Sequence, residues 1–236
     1  MFHGKMKAVT FSYDDGITQD QRFIRMLNKY GLKATFNLNS GYFGTAGALI
    51  RENVTVAHVR PRIEEIAGIY RGHEIAGHTL THPSLPKQTR EEVIRQVEDD
   101  RKALSALCGY EVVGMAYPGG GINNDARTAE IIRTCTGMQY ARTITCNGSF
   151  ELQTDLFRFQ PTVFHMDFEE MFRLGSEFLR MKPDRPQIFY IWGHTYEFDI
   201  ADTWERMEEF CRMISGKDDI FYGTNREVLL AGRQEV

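Results

Sequence analysis

The 236-residue chain has no long hydrophobic run, so nothing in it approaches the roughly twenty apolar residues needed to cross a bilayer. No apolar leader stretch follows Met1-Phe2-His3-Gly4-Lys5-Met6-Lys7, which leads straight into a strand-like segment. Cytoplasmic residence is the expectation unless an export signal has been trimmed. An excess of either charge is also lacking. The 28 Lys and Arg against 32 Asp and Glu leave −4, which excludes a basic footprint for nucleic acid and a polybasic membrane patch. The four cysteines, Cys108, Cys135, Cys146 and Cys211, are scattered without a Cys-x-x-Cys pair. They therefore offer neither a thiolate zinc site nor a disulfide framework, and read as reduced, mostly structural thiols. There is no internal repeat and no low-complexity linker. Nor does a Gly-x-Gly-x-x-Gly turn follow the first strand, which counts against a dinucleotide site on an open doubly wound sheet.

What is present is the balance of a soluble globular protein, 42% apolar and 25% charged. The length fits one large domain or two small ones, and α/β barrels often fall near this size. Short β-rich runs at 7–12, 34–38, 74–76, 112–117, 139–142, 158–161 and 187–192 alternate with helical patterns at 20–30, 62–70, 90–107, 125–134, 167–181 and 203–215. In the 90–107 segment Val93, Ile94, Val97, Ala103, Leu104 and Leu107 repeat at helical spacing, and Thr89 before Glu92 forms a capping box. Thr224 before Glu227 repeats that signal for a final short helix. Such alternation predicts a parallel sheet covered by helices, in one domain spanning 1–236. Polar motifs just after the strands favour a barrel with its site on the C-terminal face. The long connection 41–59 has room for a hairpin or a substrate-facing lid.

Two of those polar motifs matter together. Asp14-Asp15-Gly16 ends the first strand, and His78-Thr79-Leu80-Thr81-His82 follows the third. Taken alone, the first is equally a turn, since Asp and Gly are favoured there. The histidines alone are equally surface or core imidazoles. Adjacent carboxylates at the mouth of an apolar strand repel each other, and a divalent metal removes that problem. One Asp with two His leaves coordination positions open, the layout of a catalytic rather than a structural site, and frees the second Asp to act as a base. Tyr13, Tyr117, Trp192 and Tyr196 lie near the motifs and offer either sugar stacking or core packing. His73 reads as structural and His58 as solvated, with no charge partner in view.

The succession Thr10-Phe11-Ser12-Tyr13-Asp14-Asp15-Gly16, Gly77-His78-Thr79-Leu80-Thr81-His82-Pro83, Ala116-Tyr117-Pro118-Gly119-Gly120 and Trp192-Gly193-His194 resembles the polysaccharide deacetylase family, the NodB-homology or family 4 carbohydrate esterases. The resemblance covers about residues 7 to 195. It implies a distorted (β/α)7 barrel and metal-dependent removal of an N-acetyl group from an acetylated amino sugar or its polymer. By the same resemblance Asp15, His78 and His82 hold the metal, usually zinc and sometimes cobalt or nickel. Asp14 falls on the base, His194 on the acid, and Gly119 on the oxyanion donor, with Tyr117 and Trp192 beside the substrate.

The departures are specific. Ala116 stands where many members carry an arginine that pairs with the catalytic Asp, and Arg142, ending the next strand, is the replacement expected to reach Asp14. The family's acidic motif that tunes the catalytic His is missing after Arg142. Asp155, His165, Glu197 and Asp199 all stay open for that task. Trp192 replaces the usual Leu in the acetyl-binding wall. Two alternatives remain: hydrolysis of another C–N amide, such as a formamide or a cyclic ureide or imide, and a non-catalytic carbohydrate-binding protein. Oligomeric state leaves no mark in the sequence.

Overall fold

The computed structural model describes residues 1–51 and 53–231. In chain order the elements are β1 (Lys7–Asp14), α1 (Asp20–Lys29), β2 (Ala34–Leu38), β3 (Ala48–Arg51), β4 (Val54–Ala57), α2 (Ile63–Ile69), β5 (Glu74–Gly77), α3 (Arg90–Ile94) and α4 (Asp100–Cys108). They continue with β6 (Gly114–Ala116), α5 (Ala126–Cys135), β7 (Tyr140–Arg142), β8 (Val163–Phe164), α6 (Phe168–Arg180), β9 (Gln187–Gly193), α7 (Tyr196–Ala201), α8 (Trp204–Ile214), β10 (Ile220–Tyr222) and α9 (Asn225–Leu229). Eight strands form one parallel sheet in the order β7-β6-β5-β2-β1-β9-β8, with β10 also on β1. β3 and β4 make a separate antiparallel hairpin within the long connection.

All eight residues of β1 are buried, and among the described strands it is the one with three neighbours. Its first half pairs with β10 and its second with β2, while β9 runs along the other edge. Side chains alternate across a strand. Val9, Phe11 and Tyr13 accordingly join the large apolar cluster under the helices. The opposite face carries small polar groups. Thr10 donates to Asn225 Oδ1 at 2.8 Å, and Asn37 Nδ2 donates to Ser12 Oγ at 2.9 Å and to Asp14 Oδ1 at 2.8 Å. Asn225, held by the predicted Thr224–Glu227 capping box, plugs the bottom of this interior. The two faces of one strand thus separate the fold's core from the polar column that ends at the site.

The barrel does not close, so the sheet is a curled half-barrel. The strand expected at 158–161 is replaced by a 3-10 turn (Leu156–Arg158) and a single bridge between Arg142 and Phe159. Pro161 has no N–H to extend a ladder, which moves the strand on to β8. The expected strand at 112–117 shortens to β6. The helix expected at 90–107 is continuous but carries a π turn at Arg95–Asp99 between α3 and α4. Within that turn Gln96 accepts Leu80 N–H with its carbonyl (3.0 Å) and Thr81 N–H with its side chain (3.0 Å). The irregular turn therefore grips the loop that bears His78 and His82. No helix among the described residues is long and apolar enough to cross a membrane.

His73 is structural, as expected. Its Nδ1 accepts the Ala34 N–H (3.2 Å), so its Nε2 carries the proton toward Asn28 Oδ1 (3.2 Å). Burial, then the neighbouring Lys33, push its pKa from 6.5 down to about 4. The unfolded chain binds this proton first, so stability is lost as pH falls from 6.5 toward 4, by up to about 3 kcal/mol. Urea midpoints of wild type and His73→Gln should therefore converge as pH is lowered through that window. Parallel curves would show that His73 titrates normally.

Candidate metal centre and cleft

Every chemically interesting residue sits at or just past the C-terminal end of a strand. Asp14 is the last residue of β1 and Asp15 the next; His78 follows β5, Tyr117 follows β6, Arg142 ends β7, and His194 follows β9. Asp14, Asp15, His78, His82, Tyr117, Gly119, Trp192 and His194 line one cleft of about 470 Å³, with Arg142 buried beneath it.

The two adjacent aspartates are separated by backbone conformation. Asp14 keeps the strand's inward direction, whereas Asp15 is turned away by a left-handed φ of 80°. Gly16 completes the turn at φ 61°, where a Cβ would meet Leu38 Cδ2 at 2.5 Å. Thr79 (φ 69°) and His82 (φ 55°) are also left-handed, a conformation costing non-glycine residues about 1 kcal/mol or more. Strain thus falls on two members of the cluster, Asp15 and His82, and on Thr79 beside the third. Asp15 Oδ1 lies 3.9 Å from His78 Nε2 and 3.8 Å from His82 Nε2. One donor atom from each of the three lies within 4.8 Å of the others.

The donors are prepared for a metal. His78 Nδ1 donates to the Ala116 carbonyl at 2.9 Å, which leaves its Nε2 lone pair bare and facing Asp15. Burial first, opposed by Asp14, pushes the His78 pKa down to about 4, so the ring is neutral at pH 7. Asn39 Nδ2 fastens the same loop by donating to the carbonyls of His78 and Thr79, and Asp100 Oδ2 accepts the His78 N–H. A carboxylate and two imidazoles with free nitrogens suit a divalent transition ion, and the chain's donor set fits one.

His58 corrects the expectation of a solvated residue. It is buried, and its Nε2 stands 3.1 Å from Asp15 Oδ2. Arg60 Nη1 lies 3.2 Å from His58 Nδ1. Since the guanidinium only donates, Nδ1 accepts and Nε2 carries the proton to Asp15. His58 thereby occupies one carboxylate oxygen and leaves Oδ1 to the other two histidines. Against the penalty of burial, His58 and then His194, His78 and His82 hold the Asp15 carboxyl far below its ordinary range. No spacing rule marks His58, because it reaches the site only when the β3–β4 segment folds over through Ile17, Val56 and Tyr196.

Asp14 meets Arg142 as expected. Arg142 Nη2 donates to both Asp14 oxygens at 2.5 Å, and both side chains are buried. Burial alone would raise the Asp14 pKa; Arg142, then His78 and His194, outweigh it and hold the carboxyl below its usual range. Across the cleft His194 Nε2 is 4.0 Å from Asp14 Oδ2. Of the four acids and histidines left open for tuning His194, Glu197 is the one in contact. Its Oε2 accepts the His194 main-chain N–H (2.9 Å), lies off-axis 3.2 Å from His194 Nδ1, and accepts His165 Nε2 (2.7 Å). His165 in turn takes the Tyr13 hydroxyl on Nδ1 at 2.9 Å. Burial would lower the His194 pKa, but Glu197, then Asp15 and Asp14, raise it to about 9. Asp155 pairs with Arg133 on the surface and Asp199 holds the Trp204 indole, so neither reaches His194.

Tyr117 is fully buried, its hydroxyl donating to the Phe157 carbonyl at 2.8 Å. Its hydroxyl is spent inside the wall of the cleft that it lines, and the buried Tyr13 is core. Trp192 lines the cleft with its ring 4.7 Å from the Arg142 guanidinium, covering the Asp14 pair, and its indole N–H points to Cys146 Sγ at 3.3 Å. Gly119 has φ 84°, and among the described residues its N–H has no acceptor, so it remains available as a donor.

The profile of the polysaccharide deacetylase family matches residues 3–135, and the chain belongs to that family. It is 29% identical over 120 residues to the peptidoglycan-N-acetylglucosamine deacetylase of Listeria monocytogenes. That match covers 50% of this chain but only 22% of the Listeria protein. A family 4 carbohydrate esterase from Streptomyces lividans, solved with acetate, superposes with a TM-score of 0.56 at 14% identity, covering 93% and 92% of the two chains. A family 4 pseudoenzyme from Bacillus anthracis superposes with a TM-score of 0.54 at 16% identity, covering 94% and 65%. At these identities the superpositions establish the fold, and the family contains both active and inactive sites.

Second-sphere partners of metal ligands commonly contribute one to two orders of magnitude in affinity. His58→Ala should weaken zinc or cobalt binding about 10- to 100-fold in a competition titration against a chromophoric chelator. Exposed His3→Ala should leave it unchanged. Equal affinity of wild type and His58→Ala would reduce the Asp15 contact to packing.

Proposed function

We propose that this chain is a metal-dependent deacetylase that hydrolyses the N-acetyl group of an acetylated amino sugar. The observation that carries this reading is the pairing of Asp14 with Arg142 and of His194 with Glu197 on two sides of one cleft, next to the Asp15–His78–His82 cluster. A binding protein needs neither a base nor an acid held in opposite protonation states, which supports catalysis over binding alone.

A divalent ion held by Asp15, His78 and His82 would supply Lewis acidity to the acyl oxygen and acidify the attacking water. Asp14, ionised and oriented by Arg142 and Asn37, takes the proton of that water as it adds to the acyl carbon. The N–H of Gly119, which lines the cleft, is the donor for the negative charge that develops on the acyl oxygen. As the tetrahedral carbon collapses, the C–N bond breaks and His194, an imidazolium kept charged by Glu197, gives its Nε2 proton to the departing amine. Acetate and the free amino sugar leave, and one water is consumed. Trp192 and Arg142 exclude bulk water from Asp14 on its buried side.

Metal content and acetate release, measured together on chitooligosaccharides, test the proposal. Wild type should hold near-stoichiometric metal and release acetate, and Asp15→Ala or His82→Ala should lose both. Asp14→Asn should keep the metal and lose roughly 10²- to 10⁴-fold in kcat. Full turnover by Asp14→Asn would remove it as the base, and metal without acetate would redirect the search to formamides and cyclic amides.

His194 acts in its protonated form, so activity should fall as pH rises through its pKa of about 9. Glu197 is the largest influence raising that pKa. In Glu197→Gln the alkaline limb of the kcat profile should therefore move to lower pH, with metal content unchanged. An unmoved alkaline limb would show that Glu197 does not set the acid.

A further inference from the structure

The β3–β4 segment gives the cleft two arginines, Arg51 and Arg60. Among the described residues the carboxylates lining the cleft are Asp14 and Asp15, and both are committed. Asp14 is neutralised by Arg142, and Asp15 faces His58, His78 and His82. Among the described residues neither Arg51 nor Arg60 has a carboxylate oxygen within 4 Å.

Arg60 is held firmly although no described residue supplies it a counterion. Its main-chain N–H donates to the Thr45 carbonyl at 2.9 Å, and its guanidinium lies 4.8 Å over the Tyr42 ring. One donor, Nη1, goes to His58. Its Nε is buried and has no acceptor. Fixing the tautomer of His58 accounts for one donor and leaves the rest of the fork unused. A guanidinium cannot shed its proton to escape this cost, and its planar fork matches the two oxygens of a carboxylate or phosphate.

We infer that the substrate carries an anionic substituent beside its N-acyl group, and that Arg60, with Arg51, receives it. Arg60 is one hydrogen bond from His58 and two from Asp15. The anionic group thus belongs on the same sugar as the acyl group that approaches the metal ligands. This reading rests on the N-acyl amino sugar proposed above, but it concerns recognition and is measured by binding.

The experiment is calorimetric binding of three matched ligands, N-acetylglucosamine, N-acetylmuramic acid and N-acetylglucosamine 6-phosphate, to the zinc-supplemented protein and its variants. Wild type should bind one of the two anionic sugars about tenfold or more tighter than the neutral one, and the better anion separates a ring-ether carboxylate from a phosphate. The preference should shrink with added salt, be lost in Arg60→Met, be reduced in Arg51→Met, and recover in part in Arg60→Lys. Equal or undetectable binding of all three ligands by wild type would overturn the inference. So would a preference that survives both methionine substitutions. Anionic preference without acetate release would uphold the inference and count against deacetylation alone.

Discussion

The ion pair between Asp14 and Arg142 is the constraint around which the rest of the site is arranged. Both side chains are buried, and an ion pair in that setting is sustained only when its geometry and further hydrogen bonds are good. Arg142 meets both oxygens of Asp14, Asn37 adds a third donor, and the Trp192 ring covers the guanidinium. The pair also spans the sheet. Arg142 ends β7, near one edge of the sheet order, and Asp14 ends central β1, so they meet only because the sheet curls. The half-barrel's curvature and the charge state of Asp14 therefore depend on each other.

Register explains how the arginine can stand on an unexpected strand. Ala116 on β6, where the family resemblance leads one to expect that arginine, pairs directly with Arg142 on β7. In a parallel sheet, registered neighbours lie about 4.8 Å apart and point to the same face. Moving the arginine sideways by one strand keeps its height along the barrel and its inward direction, and its long side chain absorbs the displacement. The Ala116 carbonyl, meanwhile, fixes the tautomer of His78. The same position thus serves the metal ligand through its backbone.

The Asp15–His78–His82 cluster, Asp14 and His194 were legible in the sequence because their motifs stand at or soon after strand ends and, taken together, resemble the family's pattern. Arg142 was legible as the lone charge ending its strand. Glu197 was visible only as one of four choices. Its position three residues after His194 gained meaning once the first turn of α7 brought its carboxylate back onto the His194 main-chain N–H. His58 carried no signal at all, because its role comes from a hairpin whose docking depends on tertiary contacts with Ile17 and Tyr196. The incomplete barrel closure was equally hidden. It turns on Pro161 and on a 3-10 turn that local pattern reads as a strand.

The separation of base from acid is the last consequence of these pairings. A carboxylate and an imidazolium 4.0 Å apart help to hold each other charged, His194 lowering the Asp14 carboxyl and Asp14 raising His194. Each also has its own counterion. Arg142 holds Asp14 ionised, and Glu197, braced by His165 and Tyr13, raises His194 to about 9. The two groups are pushed to opposite sides of neutrality by separate counterions and by each other, the condition under which one can accept a proton while the other still has one to give. That condition extends from Tyr13 on β1 through His165 and Glu197 to His194, and from Arg142 to Asp14. The opposed charge states across the cleft are thus a property of the sheet's interior, not of its loops alone.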